Sequence, residues 1–413
     1  MIARDQYMAQ LKTYKDNTLI KVITGLRRCG KSTLLQLFRE ELLQGEVAAG
    51  HIVDINFELM EYDEIRDYRQ FYELVREKIS DKGKYYLLFD EIQQVDHWEK
   101  AVNSLNVEND IDVDIYITGS NAFLLSSDIS TLLSGRYVEI KMLPLSFKEF
   151  LQSGHLPAEW GVDEKFNQYL KYGSLPVVTA LAQNNMAVNQ VLLGVYNTVI
   201  IKDVVTRSKT KDIDLLERVV RYVISNTGNI TSPNKISGFL SAQERGESVK
   251  SSTISSYLDS LQKAYIIYQA NRYDIKGKEQ LKTLAKYYVT DTGIRNALMG
   301  YSDNDIGYVL ETVVYFELLR RGFQVFIGKW QGSEVDFLAV RQDAKKYYQV
   351  TWSMMDESVR ARELAPLEAI QDNYEKFVLS MDKTYITDRE GIRFQNIIDF
   401  LLDDDEALYT ETR

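Results

Sequence analysis

The feature that most constrains the fold of this chain is a short loop near its amino end. The run GLRRCGKST fits the pattern G-x-x-x-x-G-K-[ST], with Gly25, Gly30, Lys31 and Ser32 at the defining positions. Two glycines allow the backbone to wrap closely around an anion, so that successive N–H groups point at phosphate oxygens. The alternative is a glycine-rich turn without a ligand. The pattern predicts a phosphate-binding loop between a strand and a helix.

The residues on either side of the loop support this prediction. The apolar run from Leu19 to Ile23 predicts a buried strand entering the loop, and the run from Ser32 to Leu43 predicts a helix leaving it. The positive end of that helix dipole would face the bound anion. We expect Lys31 to contact the β- and γ-phosphates and the Ser32 hydroxyl to bind Mg²⁺. The residues expected to contact the nucleotide are Gly25, Leu26, Arg27, Arg28, Cys29, Gly30, Lys31, Ser32 and Thr33.

The composition is that of a globular protein with a sizeable core. The chain has 413 residues, of which 45% are hydrophobic and 26% charged, enough for two or three domains. No apolar run reaches the roughly 18 residues that a membrane-spanning helix requires. The amino end lacks the apolar core of a signal peptide, and a single cysteine cannot form an internal disulfide. These features predict a cytoplasmic protein with no membrane partner.

The charge is unevenly distributed along the chain. The net charge of −11 argues against general binding of nucleic acid. However, residues 219–300 contain eleven Lys and Arg against six Asp and Glu, whereas residues 301–413 contain thirteen against twenty-two. A basic middle segment therefore precedes an acidic tail.

Residues 1–150 are predicted to form an α/β core with a parallel sheet, because strand-like and helix-like segments alternate. One of these strands, Tyr85–Phe89, is apolar and runs directly into Asp90 and Glu91. We expect it to lie beside the strand that enters the loop. There Asp90 would hold Mg²⁺ and Glu91 would polarise the attacking water of an ATPase. The alternative is that the two carboxylates cap an ordinary helix.

Two later positions are candidates to complete the site. The strand predicted from Asp114 to Thr118 is followed by Ser120 and Asn121, whose side chains could bond the γ-phosphate or the water unless they merely form a turn. Arg136 precedes the strand predicted from Tyr137 to Met142. Its guanidinium could stabilise charge on the transferring phosphoryl group, in its own site or in a neighbour's, or form only a surface salt bridge.

The segments GLRRCGKST, LLFDEIQ, ITGSNA, LSGR and LPLSFKEF together resemble those of the predicted AAA+ superfamily ATPases of bacteria and archaea. In these proteins a P-loop domain precedes a carboxyl-terminal domain of unknown function. The resemblance covers nearly the whole chain, including the run YGSLP after the core. It implies ATP binding and hydrolysis, with Lys31, Ser32, Asp90 and Glu91 in the roles given above, and it suggests Arg136 as an arginine finger. It implies no particular cellular role.

Residues 151–214 are predicted to be helical, because three segments in this region have helical patterning. In AAA-type proteins such a bundle packs over the nucleotide, so the resemblance implies a helical lid. Residues 215–300 follow as three helices and a hairpin, which is a winged-helix outline. The third helix, Ser251–Lys263, carries short hydroxyls that suit contacts with DNA, although winged helices also bind proteins. The cations expected on the hairpin are Arg272, Lys276, Lys278, Lys282 and Lys286.

Residues 301–413 resemble a PD-(D/E)xK nuclease core. A predicted helix holds Glu311, and the two strands that would complete the motif hold Asp336 and the run Gln349 to Thr351. The motif needs a carboxylate and a lysine where this chain has Gln349 and Thr351, and an amide binds hard cations less well than a carboxylate. We therefore expect a nuclease-like α/β domain without cleavage.

Three functions are compatible with these features. The first is Mg²⁺-dependent ATP hydrolysis that moves the lid and the winged-helix domain. The second is an ATP-gated module that binds DNA or a protein with little hydrolysis, and the third is an ATP-dependent nuclease. ATP is favoured over GTP because the chain offers no N-K-x-D guanine signature: Asn234 and Lys235 are followed by Ile236 and Ser237.

Overall fold

The computed structural model describes residues 2–120, 133, 135–206, 212–243, 248–342, 344–383 and 391–403. The chain forms two compact units. The first comprises the described residues up to Leu143 together with Lys263–Tyr265, and the second comprises those of Pro144–Gln262 and from Ile266 onward. Among the helices described, none combines the length and the apolar character needed to span a membrane.

The first unit is built on a five-stranded parallel sheet. Its strands are β1 (Ile20–Gly25), β2 (Ile52–Asn56), β3 (Lys84–Asp90), β4 (Asp112–Gly119) and β5 (Tyr137–Met142). They are ordered β2-β3-β4-β1-β5, and every neighbouring pair is parallel. Its helices are α1 (Asp5–Thr13), α2 (Lys31–Gln44), α3 (Tyr68–Lys78) and α4 (Trp98–Val107). Strands β1, β3 and β4 are buried along nearly their whole length, as expected for a parallel sheet covered on both faces.

The predicted α/β class of this unit is confirmed, but the expected place of one strand is wrong. The strand that ends at Asp90, β3, does not lie beside β1, because β4 lies between them. The run of apolar residues marks a strand as buried without fixing its neighbours. The carboxyl ends of all the parallel strands meet at one edge of the sheet, so Asp90 still lies at the same edge as the phosphate loop.

The second unit begins with helices. They are α5 (Phe147–Leu151), α6 (Val162–Tyr172), α7 (Pro176–Ala180), α8 (Asn185–Thr198), α9 (Ile213–Ser225), α10 (Pro233–Gln243) and α11 (Ser251–Lys263). A stretch of π-helix, Val199–Val205, continues α8. The helical character expected of residues 151–214 is therefore present where the chain is described.

A mixed seven-stranded sheet follows these helices. Its strands are β6 (Ile267–Asp274), β7 (Glu279–Val289), β8 (Gln324–Trp330), β9 (Ser333–Arg341), β10 (Ala344–Val350), β11 (Glu375–Ser380) and β12 (Ile392–Asn396). They are ordered β12-β11-β10-β9-β8-β6-β7. The helices of this part are α12 (Thr292–Met299), α13 (Ile306–Arg320), α14 (Glu357–Ala369) and α15 (Ile397–Leu402).

The hairpin expected as an independent wing belongs to this larger sheet. β6 pairs with β7 in the antiparallel sense, and it also pairs with β8 in the parallel sense, with Arg272 opposite Ile327. The expected boundary near residue 300 therefore does not separate two sheets. Lys286, expected among the cations that face DNA, is 4% exposed and lies inside the unit.

The YGSLP run connects α6 to α7 and is fixed by one buried carboxylate. Asp291, which is 1% exposed, accepts hydrogen bonds from the backbone N–H of Ser174 at 2.6 Å and from its hydroxyl at 3.1 Å. It also caps α12 by accepting from Ile294 N–H at 3.0 Å. A side chain at Gly173 would place its Cβ 2.2 Å from Asp291 Oδ1, so only glycine fits there.

Candidate nucleotide site

The phosphate loop joins the end of β1 to the start of α2, as the sequence predicts. Gly30 caps α2 with φ 105°, a left-handed conformation that favours glycine. Gly25 has φ 149°, and a Cβ at this position would lie 2.2 Å from the carbonyl oxygen of Met142. Both glycines of the motif are therefore required by the backbone itself, because the loop turns sharply and packs closely against the end of β5.

Lys31 folds back over its own loop. Its side chain is 4% exposed, and its ammonium donates to the carbonyl oxygens of Gly25 at 3.1 Å and Leu26 at 3.3 Å. These contacts hold the lysine at the mouth of the cradle that the loop forms. A phosphate entering the cradle would meet the ammonium group there.

The other loop residues differ in how far their side chains can reach a ligand. Leu26 and Cys29 are buried, and the Cys29 thiol faces the Met142 carbonyl at 3.6 Å rather than the cradle. Arg27 lies 3.4 Å from Glu58 Oε1, and Arg28 is exposed in a left-handed conformation with φ 71°. We therefore expect these four loop residues to contact the nucleotide through their backbone atoms.

Ser32 and Asp90 meet at the edge of the sheet. Asp90 is 4% exposed, and it accepts hydrogen bonds from Ser32, from Thr118 and, at 3.1 Å, from Asn56 Nδ2. Burial raises the pKa of Asp90, and the hydrogen bonds from Thr118 and Ser32 partly oppose that rise. A hydroxyl and a buried carboxylate at one point are oxygen ligands of the kind that Mg²⁺ prefers.

A pocket lies beside this pair. It has a volume of about 260 Å³, and its walls include Ser32, Asp54, Asn56 and Asp90. The lining is rich in oxygen atoms, so the residues present fit a hydrated Mg²⁺ held by Ser32 and Asp90.

Glu91 occupies a sharp turn at the end of β3. Its φ of 52° and ψ of 44° are left-handed, and its backbone N–H donates to Thr118 Oγ1 at 3.0 Å. The carboxylate is buried and accepts hydrogen bonds from the Ser120 hydroxyl and from Gln93 Nε2. The two carboxylates thus diverge, Asp90 toward Ser32 and Glu91 toward Ser120.

Of the candidates that follow β4 in the sequence, Ser120, Asn121 and Arg136, the structure describes the first and the last. Ser120 donates to Glu91 and its role as a sensor stays a prediction, whereas Asn121 lies outside the described residues. Arg136 immediately precedes β5, and β5 runs parallel to β1 with Ile20 opposite Tyr137 and Gly25 opposite Met142. Arg136 therefore lies near the amino end of β1, roughly 17 Å of strand from Gly25 at about 3.3 Å per residue.

The idea that Arg136 serves the γ-phosphate of its own chain is therefore wrong in this geometry. Its guanidinium instead donates to Asn103 Oδ1 on α4. The reason is the register of a parallel pair, which places the residue before β5 opposite the start of β1 rather than its end. Action at a neighbour's site stays a prediction.

Sequence reasoning missed several residues that support the site. Arg4 is 2% exposed and donates to the carbonyl oxygens of Cys29 at 3.1 Å and Leu143 at 2.7 Å, which braces the loop from behind. No local sequence pattern predicts a contact between residues so far apart in the chain. Asn56 and Thr118 could have been found, because each is a polar residue at the carboxyl end of a predicted strand.

The second unit contains a separate polar cavity. Glu311, Asp336, Gln349 and Thr351, the positions expected from the nuclease comparison, line one space of about 730 Å³. Gln349 donates to Glu363 Oε2 at 2.8 Å, so a carboxylate from α14 approaches the amide that replaces the motif's carboxylate. Among the residues described, no group of three or more His, Cys, Asp or Glu side chains is placed to hold a metal ion.

Lys286 supplies a cation beside this cavity. Its ammonium lies 2.8 Å from both Glu311 Oε1 and Glu334 Oε1. Burial lowers the pKa of Lys286, but the charges of Glu311, Asp336 and Glu334 outweigh burial and raise it above its ordinary value. Burial and the charge of Glu311 in turn raise the pKa of Asp336. The ammonium group of Lys286, from β7, thus pairs with carboxylates beside this cavity.

Comparison with known proteins agrees with the architecture of the first unit. A family model described as an AAA domain matches residues 17–151, and a model described as a domain of unknown function matches residues 163–305. A solved structure of a Walker-type ATPase from Pyrococcus abyssi superposes with a TM-score of 0.52 at 14% identity, over 72% of this chain and 96% of that chain. The strand order, the glycine loop and the paired carboxylates therefore define an AAA-type P-loop ATPase domain.

Two relatives extend the similarity beyond the AAA domain. An uncharacterized protein of Haemophilus influenzae is 40% identical over 404 residues, which is 97% of this chain and 99% of that protein. An uncharacterized protein of Methanocaldococcus jannaschii is 32% identical over 371 residues, which is 86% of this chain and 79% of that protein. The chain belongs to the family of these bacterial and archaeal proteins. The predicted winged-helix and nuclease-like parts of the resemblance stay predictions.

Proposed function

We propose that the protein binds ATP with Mg²⁺ and hydrolyses it at the site in its first unit. The observation that supports this most directly is the convergence of Ser32 and Asp90 beside the phosphate loop, with Glu91 turned away as a second, separately held carboxylate. A loop that served only as a turn would have no need of either carboxylate.

The residues divide the work of hydrolysis. Lys31 and the loop amides would bind the β- and γ-phosphates, and Ser32 and Asp90 would hold Mg²⁺, which would supply positive charge beside the phosphate oxygens. Glu91 accepts a proton from water as the water oxygen forms a bond to the γ-phosphorus. The bond from that phosphorus to its bridging oxygen breaks, and ADP leaves with the electron pair.

Calorimetry and phosphate release together test this proposal. The protein should bind ATP in the presence of Mg²⁺ and release phosphate, and Lys31→Ala should abolish binding. Absence of heat and of thermal stabilisation with Mg-ATP would overturn it. The exposed Lys12, which pairs with Glu41 on the surface, provides a matched control in Lys12→Ala.

We also propose that the nucleotide state is passed to residues 151–214 and 215–300. Hydrogen exchange in the second unit should then differ between the protein with ADP and Glu91→Gln with ATP. Identical exchange in these two states would restrict the action of ATP to the first unit.

A second candidate is an ATP-gated module that binds DNA. The exposed face of α11 supports it, because Ser252, Ser255 and Ser256 are all exposed there, and Lys276 and Lys278 are exposed at the turn of the hairpin. Asp259 on the same face opposes it. A salt titration discriminates, since phosphate contacts give a steep fall of affinity with salt. Lack of binding at low salt would leave a protein as the partner.

A further inference from the structure

Glu91 and Gln93 lie side by side although they are only two residues apart. In a regular helix such residues face different directions. Here the left-handed conformation of Glu91, with φ 52°, and the 3₁₀ turn Ile92–Gln94 bring the two side chains to the same side. Gln94 N–H closes the turn by donating to Glu91 O at 3.1 Å.

The Glu91 carboxylate is held from both sides. The Ser120 hydroxyl donates to Oε1, and Gln93 Nε2 donates to Oε2. Each carboxylate oxygen has a second lone pair, so both remain able to accept a hydrogen from water. The two donors therefore fix the direction of the carboxylate without using up its capacity as a base.

The other end of the Gln93 amide has no assigned partner. Gln93 Oε1 is buried, and no described residue donates a hydrogen bond to it. A buried amide oxygen without a donor is costly, since most such groups are paired. The atom belongs to the same amide that donates to Glu91, the carboxylate assigned to water in the proposed function.

We infer that Gln93 is a positioning residue for hydrolysis: Nε2 aims the Glu91 carboxylate, and Oε1 accepts a hydrogen bond from the water that Glu91 deprotonates. The inference rests on the proposed ATPase function. An amide can donate to the carboxylate through its nitrogen and accept from the water through its oxygen. A carboxylate at position 93 would lose the donor and place a like charge beside Glu91.

Single-turnover hydrolysis and ATP affinity of the full chain test the inference. Gln93→Ala should lower the rate of phosphate release about 10- to 100-fold, as for loss of one hydrogen bond at a reacting group, with ATP affinity unchanged within about twofold. Gln93→Glu, nearly the same shape, should lose at least as much. The exposed neighbour Gln94 provides the control, and Gln94→Ala should match the wild type.

A double-mutant cycle separates positioning from a structural effect. If Gln93 acts through Glu91, then Gln93→Ala should slow the Glu91→Gln protein by less than about twofold. A full additional loss in that background would overturn the inference. So would a Gln93→Glu protein that hydrolyses ATP at the wild-type rate, or a loss of ATP affinity that accounts for the loss of rate.

The result is distinguishable from failure of the proposed function. If the wild type neither binds nor hydrolyses ATP, the ATPase proposal fails and this inference with it. If the wild type hydrolyses ATP and Glu91→Gln does not, while both Gln93 variants equal the wild type, the ATPase proposal stands and only the inference about Gln93 falls.

Discussion

The ammonium group of Lys31 lies 3.1 Å from the carbonyl oxygen of Gly25, the residue at which its own phosphate loop begins. The side chain that would neutralise a phosphate therefore also ties the two ends of the loop together. The same cation thus shapes the loop and, in the proposed function, would bind the ligand.

Removal of the Lys31 ammonium group should lower both the stability of the protein and its affinity for ATP. Lys31→Ala loses two buried hydrogen bonds, so we expect the free energy of unfolding to fall by about 1–2 kcal/mol without nucleotide. ATP affinity should fall at least about 100-fold, since a charged donor to phosphate is lost. Melting and calorimetry measure the two effects. Unchanged affinity would show that Lys31 does not face the phosphate.

Substitution of Glu91, the base in the proposed function, should separate ATP binding from turnover. Glu91→Gln keeps the size of the side chain and does not touch Ser32 or Lys31, so ATP should still bind. Turnover should fall about 10²- to 10⁴-fold, the usual contribution of a general base. Steady-state phosphate release measures this. Normal turnover in Glu91→Gln would show that another residue acts as the base.

The buried carboxylate of Asp90, which the proposed function needs for Mg²⁺, should lower the free energy of unfolding at neutral pH. Burial raises its pKa, so between the ordinary and the raised value the folded chain holds a proton that the unfolded chain has lost. The free energy of unfolding therefore falls as the pH rises through that window. Asp90→Asn removes this loss and should raise stability at neutral pH by about 1 kcal/mol.

The same Asp90→Asn variant should no longer be stabilised by Mg-ATP. Thermal melts at pH 5 and pH 8, with and without Mg-ATP, measure both effects. Asp110→Asn, which changes an exposed carboxylate paired with Arg76, is the matched control. If Asp90→Asn is less stable than the wild type at every pH, burial of the Asp90 carboxylate does not destabilise the folded protein.

Arg136 should not affect hydrolysis by isolated molecules. It lies near the amino end of β1, away from the phosphate loop, so Arg136→Ala should turn over at the wild-type rate in dilute solution. If a neighbouring molecule uses it, specific activity should rise with protein concentration in the wild type and not in the variant. A loss of activity that is independent of concentration would contradict this geometry.

The cavity of the second unit should not cleave nucleic acid. Gln349 replaces a carboxylate, and the ammonium of Lys286 already engages Glu311 and Glu334. We expect DNA to stay intact with Mg²⁺ or Mn²⁺ and ATP, and Asp336→Ala to leave ATP turnover unchanged. Metal-dependent cleavage that Asp336→Ala abolishes would restore the nuclease hypothesis.

The sequence predicted the form of the glycine loop better than it predicted the strand order of the sheet around it. Gly25, Gly30, Lys31 and Ser32 are consecutive or nearly so, and local backbone geometry alone brings them together. Asp90 could be assigned because a buried strand ends there. Its actual neighbour, β4, could not, because the order of parallel strands depends on crossovers that leave no local pattern.

Long-range side-chain contacts escaped prediction altogether. Arg4 braces Cys29 from far along the chain, and Lys286 joins residues on α13 and β9. Lysines on a predicted hairpin are normally solvent-facing, whereas this one is buried beside Glu311 and Glu334. Gln93 was overlooked because an amide after two carboxylates has no signal of its own.

The pairing of β6 with β8 limits how the chain can be divided. The family model for the region after the AAA domain ends at residue 305, before β8 begins at Gln324. A fragment cut there would leave β6 with an open hydrogen-bonding edge, ready to associate with other chains. It would also leave the ammonium of Lys286 without Glu311 and Glu334. We therefore expect a fragment of residues 163–305 to be less stable than the same stretch within the whole chain.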